Sequence, residues 1–151
     1  MTVIKKIFLY MLLFTLGNCG YEPLYSKKNS FNEEIQSFQL EGNKNINRKI
    51  ISSLNLKNKD KATGYRLIIN SAKTLESVSR NTAGNTSVYK TGITVKISLM
   101  NGDKVFRKKT FNKNFTYNNI ENKFNLSQYQ SDIEKNLINK IIEEIFVFFT
   151  I

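Results

Sequence analysis

Apolar positions along the chain fall into seven blocks with different periods. The first is the run Ile7–Leu16, IFLYMLLFTL, preceded by Lys5 and Lys6. It has the length of a signal-peptide core and is well short of the roughly 20 residues that span a bilayer. Ile35–Leu40 follows as a short strand closed by Gly42. Ile46, Ile50 and Leu54, with Ile51 beside them, recur at helical spacing, with Asn45 as N-cap and the polar run Asn55–Lys61 as terminator. Tyr65, Leu67 and Ile69 alternate with Arg66 and Ile68, which predicts a strand reaching about Val78. Arg80–Ser87 reads as a polar loop.

Val88–Leu99 is the clearest strand: Ile93, Val95, Ile97 and Leu99 face one way, Thr94, Lys96 and Ser98 the other. Asn101-Gly102 signals a two-residue hairpin, and Val105–Tyr117 returns as its partner with Phe111, Phe115 and Tyr117 on one face. The last block is helical. Ile133, Leu137, Ile141 and Ile145 form a stripe joined by Ile138 and Ile142, and Ser127 with Gln130, or Ser131 with Glu134, can make a capping box. The order β-α-β-β-β-α predicts an α+β fold: a two-layer sandwich of a mainly antiparallel four-stranded sheet with two helices on one face. One domain over residues 33–151 accounts for the pattern, behind a signal segment 1–18 and a tether 19–32. There is no internal repeat.

The cysteine changes the reading of the N-terminus. Leu16-Gly17-Asn18-Cys19 ends the first apolar run, and Cys19 is the only cysteine. No intramolecular disulfide is possible. The segment resembles a lipoprotein signal, with Leu three residues before a cysteine that receives the lipid; Asn18 stands where Gly, Ala or Ser is usual. Gly20 follows, so the Asp that retains lipoproteins at the inner membrane in enteric bacteria is absent, and the outer membrane is the expected destination. Two or three acyl chains on one residue give stable anchoring. The competing reading is an uncleaved anchor with an incidental cysteine.

Charge adds less. The chain carries a formal +11, of which Lys5 and Lys6 leave with the signal segment. Heavy use of Lys, Asn and Ile throughout makes part of that charge compositional, and export disfavours nucleic acid as a partner. Lys104, Arg107, Lys108, Lys109 and Lys113 crowd one strand. They read either as cations for phosphate-bearing lipid or an acidic partner, or as edge-strand lysines that discourage unwanted pairing.

Little in the chain points to catalysis. There is no His, the commonest general base, and lipidation would block Cys19. Glu33-Glu34 and Glu143-Glu144 are neighbours whose side chains diverge, and Gly84, Gly92 and Gly102 make no phosphate loop. The expectation is a non-enzyme with no metal and no cofactor. The Phe-rich C-terminus, Phe146, Phe148 and Phe149, reads as core or interface.

Cys19-Gly20-Tyr21-Glu22-Pro23-Leu24-Tyr25 resembles the start of the lipopolysaccharide-assembly lipoprotein family LptE, especially its alphaproteobacterial members. Val88–Val95, VYKTGITV, looks like the family's third strand, and Phe115-Thr116-Tyr117-Asn118 like the end of its last strand. The resemblance implies a lipoprotein that sits within the LptD β-barrel, supports its assembly and binds lipopolysaccharide. It also implies that basic residues on the sheet contact that ligand, best matched by Lys90 and then by Lys96. Lys90 stands where Arg is more usual, which keeps the charge and loses the bidentate fork. Two rivals remain open: an unrelated periplasmic lipoprotein carrying a lipid in an apolar groove, and an inner-membrane-anchored structural or regulatory domain. A hydrolase is the most distant.

Overall fold

The computed structural model describes residues 34–58 and 63–150; the expected signal segment, Cys19 and the tether 19–32 lie outside these. Among the described residues the chain forms β1 (Ile35–Gly42), α1 (Lys44–Leu54), β2 (Tyr65–Arg80), β3 (Thr86–Asn101), β4 (Lys104–Asn118) and α2 (Lys123–Thr150). The sheet order is β1-β2-β3-β4. β2, β3 and β4 pair antiparallel through hairpins, whereas β1 pairs parallel with β2. A helix between two paired strands returns the chain to the end where it began, and that forces the parallel pairing. The α+β sandwich is therefore as expected, with a mixed sheet.

The β1–α1–β2 unit is pinned by a small polar knot. Gly42 has φ +80, and a Cβ there would run into the Ser71 carbonyl. The close approach lets Asn43 N–H donate to that carbonyl at 2.9 Å. Asn43 is also the N-cap, its side chain accepting from the N–H groups of Asn45 and Ile46. The cap thus falls two residues before Asn45, which lies inside the helix. Asn47 is buried; its amide donates to the Glu41 carbonyl at 2.7 Å and accepts from the Ser71 hydroxyl at 2.7 Å. At the other end Asn55 adopts a left-handed conformation, φ 53, and the N–H groups of Asn55 and Leu56 return to the Ser52 and Ile51 carbonyls. This is a Schellman stop, with Asn in the place usually taken by Gly.

The long helix begins before either expected capping box. Asn122 accepts from the N–H groups of Phe124 and Asn125, so Ser127 and Ser131 lie within α2. The stripe itself is as read: Ile133, Leu137, Ile138, Ile141, Ile142 and Ile145 are all buried. They meet Leu67 and Ile69 of β2, Ile93, Val95, Ile97 and Leu99 of β3, and Phe111 and Tyr117 of β4 in one core with Ile46, Ile50 and Leu54 of α1. Each fully buried aliphatic side chain contributes about 1.5–3 kcal/mol by leaving water. Phe148 is buried and packs edge-on against Phe111, while Phe146 and Phe149 lean on the same cluster, so the Phe-rich terminus is core.

The β3–β4 hairpin closes one residue later than expected. Asn101 pairs with Lys104, leaving Gly102-Asp103 as the loop. Gly102 has φ 57 and Asp103 has no positive φ, the pattern of a type II′ turn with Gly first. Close to the turn the register shifts: Met100 pairs with Val105 but Leu99 with Arg107, so Phe106 is an extra residue. It stacks on Tyr65 at 4.8 Å. Because side chains alternate with period two, this bulge reverses the face of every later residue of β4, and it places Phe111 opposite Val95 in the core.

Candidate functional site

Both helices cover one face of the sheet, which leaves the other face open along β3. Its inward row, Thr91, Ile93, Val95, Ile97 and Leu99, is buried. The intervening residues, Lys90, Gly92, Thr94, Lys96, Ser98 and Met100, point to the open side. Lys90 and Lys96 therefore share a face, six residues and about 20 Å apart at ~3.4 Å per residue. Lys90 is half-buried between its register partners Glu76 on β2 and Thr116 on β4. Lys96 is exposed between Asn70 and Thr110. The floor between them is short and polar: Gly92 sits there, and the Thr94 hydroxyl donates to Asn112 at 2.8 Å. On the β1 side Asn70 and Gln39 both donate to the Glu41 carboxylate, at 3.0 and 2.9 Å.

Lys108 joins this face. The bulge at Phe106 puts it opposite Ser98, one strand over from Lys96 and on the same side. Pairing continued evenly from the turn would have set Lys108 opposite Ile97, over the core; the alternation that places Phe111, Phe115 and Tyr117 on one face is the sequence signal that puts Lys108 on the other. The open face thus presents Lys90, Lys96 and Lys108, with Arg66 on β2, among Asn, Thr and Ser side chains and the apolar Ile68, Ala72 and Met100.

The basic strand does not act as one row. β4 is an edge of the sheet, as the edge-strand reading requires. Arg107, Lys109 and Lys113 lie on the helix side. The Arg107 guanidinium lies over the Phe148 ring at 4.3 Å, and the Lys109 ammonium is 5.2 Å from the Phe111 ring and 5.7 Å from that of Phe148. Lys113 is ion-paired with Glu144. These three cations cover the apolar seam between β4 and the end of α2, and their aliphatic stems shield the aromatic rings from water.

One end of the sandwich exposes apolar side chains. Leu75 and Val78 on outer β2, Phe115 on β4, and Phe124 and Tyr129 on α2 are all exposed, Phe124 at 78 %. Leu75 and Phe115 are both in register with Thr91. β1 ends its pairing at Ser71, so β2 beyond it has no strand on that side among the described residues. Sequence reading assigned both positions simply to a strand; Val78 is the unpaired residue of a register shift between Ser77 and Ser79.

No family model matches the sequence, and no curated protein does. The fold has relatives among solved structures, and those described as follows are bacterial lipoproteins. The rare lipoprotein B of Shewanella oneidensis superposes with a TM-score of 0.58 at 15 % identity, over 76 % of this chain and 93 % of that one. A putative lipoprotein of Caulobacter crescentus gives 0.56 at 10 % identity, covering 81 % and 91 %. The minor lipoprotein of Acinetobacter baumannii gives 0.59 at 13 %, covering 75 % and 87 %. At such identities the likeness is one of fold.

Proposed function

We propose that the protein is an outer-membrane lipoprotein of the LptE type, lipidated on Cys19, which plugs and supports an LptD-type β-barrel and binds lipopolysaccharide in transit to the outer leaflet. The observation that carries this reading is the whole-domain likeness to lipoproteins, which spans about nine-tenths of the Shewanella and Caulobacter chains. The lipoprotein-like signal and the Cys19–Tyr25 motif agree with it.

The role is binding, with no chemical step. The lipidated tether holds the domain at the periplasmic side of the membrane. The exposed apolar end, with Leu75, Phe115 and Phe124, packs against the barrel wall, where contiguous apolar surface is otherwise unusual for a monomer. Lys90, Lys96 and Lys108 meet lipid A phosphates on the open face, with Asn and Thr donors around them. The lipid-carrier rival calls for a concave apolar cavity. Here the space between sheet and helices is filled by side chains at most 6 % exposed, which favours the plug.

The test is a pull-down of the tagged full-length protein from detergent-solubilised membranes, with intact-mass analysis. A stoichiometric β-barrel and a diacylated or triacylated Cys19 are expected. A lipidated protein without a barrel sinks the export role and leaves the anchor; an unprocessed N-terminus supports the inner-membrane alternative.

A further inference from the structure

Positive charge also gathers on the helical side, away from the open face. α1 carries Lys44, Arg48 and Lys49 and has no acidic residue. Its buried stripe, Ile46, Ile50 and Leu54, fixes the rotation of the helix. Arg48, Lys49 and Ser52 are therefore exposed and Ser53 half-buried. Alongside, α2 presents Lys135 and Asn139, four residues apart and on one side of the helix. These six side chains line a cleft of about 380 Å³ between the helices, with Ile142 at its edge. That volume is in the ~300–1,000 Å³ range of small-molecule pockets.

The charge in this cleft is not balanced locally. The ion pairs among the described residues join Lys73 to Glu134 and Lys113 to Glu144, and no Asp or Glu lines the cleft. Three cations converging on one concavity repel each other. An anion with several oxygens removes that repulsion, and the guanidinium fork of Arg48 suits two such oxygens. The Ser52 and Ser53 hydroxyls and the Asn139 amide supply neutral donors for the rest.

We infer that the cleft between α1 and α2 binds a phosphate group, free or carried on a lipid headgroup. The site is separate from Lys90, Lys96 and Lys108, and it does not depend on the proposed role in lipopolysaccharide transport.

The experiment is a titration of the isotopically labelled full chain in neutral-detergent micelles, followed by amide NMR shifts. One arm adds inorganic phosphate and the other dihexanoylphosphatidic acid. Saturable shifts are expected at Ser52, Ser53 and Asn139. Arg48→Gln and Lys135→Gln should each weaken binding about tenfold, the loss of one charge-assisted hydrogen bond. Both residues are exposed, so the unfolding midpoint should hold, and Lys123→Gln, at the exposed start of α2 and outside the cleft, should leave the affinity unchanged. Equal affinity in both arms assigns the site to free phosphate; tighter binding of the lipid assigns it to a headgroup. Shifts spread over all surface lysines without saturation, or variants that bind as the parent does, would overturn the inference.

Discussion

The hydroxyls of Thr91 and Tyr117 lie 3.0 Å apart in the core, joining the two strand segments that carry the family resemblance. Thr91 is 1 % exposed and Tyr117 5 %. The Tyr117 ring also meets Tyr89 at 5.9 Å and Tyr129 edge-on at 5.6 Å, tying β3, β4 and the start of α2 together. Removing one hydroxyl leaves the other buried without a partner. Tyr117→Phe should therefore lower stability by about 1–3 kcal/mol. Adding Thr91→Val should return much of that loss, and a urea double-mutant cycle measures the coupling. Strictly additive losses would mean that the bond contributes nothing.

The bulge at Phe106 makes a sharper prediction. Deleting Phe106 would remove the bulge and leave Val105 opposite Met100 and Arg107 opposite Leu99, so Phe111 and Tyr117 would stay in the core. That variant should keep cooperative thermal unfolding, whereas deleting Phe106 and Lys108 together leaves no extra residue to absorb the loss and should turn Phe111 and Tyr117 to the open face. A native-like near-ultraviolet circular dichroism spectrum from the double deletion would show that the register is set elsewhere.

At the β1–α1 turn, Gly42→Ala combines a positive φ with the obstruction by the Ser71 carbonyl. The expected loss is more than ~1 kcal/mol in urea unfolding, larger than that of a Gly→Ala change at a compatible site. A stabilised variant would contradict the close approach.

On the open face, Lys90, Lys96 and Lys108 should act together in lipopolysaccharide binding. Single Ala substitutions should each reduce affinity, and Lys108→Ala as much as Lys96→Ala. Their effect on stability should stay within about 0.5 kcal/mol, since Lys96 and Lys108 are exposed and Lys90 is half so. Titration of purified variants with lipopolysaccharide at two salt concentrations checks this. Variants that keep parental affinity and salt dependence would remove this face from the proposal.

Much of the architecture was legible because burial is written as periodicity. The stripe from Ile133 to Ile145 and the alternation from Ile93 to Leu99 each mark one covered face, and both are buried as read. Helix starts were less legible. Asn45, Ser127 and Ser131 are good capping residues, yet Asn43 and Asn122 cap the helices. Several polar side chains precede each stripe. At α1 the choice falls where the chain leaves β1 against Ser71, a contact 28 residues away in sequence.

By itself the sequence determined the element order, the two-layer α+β class, the inward faces of β3 and both helices, and the lipoprotein-like N-terminus. These depend on local spacing and short motifs. Tertiary structure decided the parallel placement of β1 and the single-residue bulge that reconciles the hairpin turn with an inward Phe111. It also decided the cleft that brings Arg48 and Lys49 beside Lys135. Each of these depends on how segments distant in sequence align and pack, and a one-residue change of register reverses a strand's faces while leaving its local pattern intact.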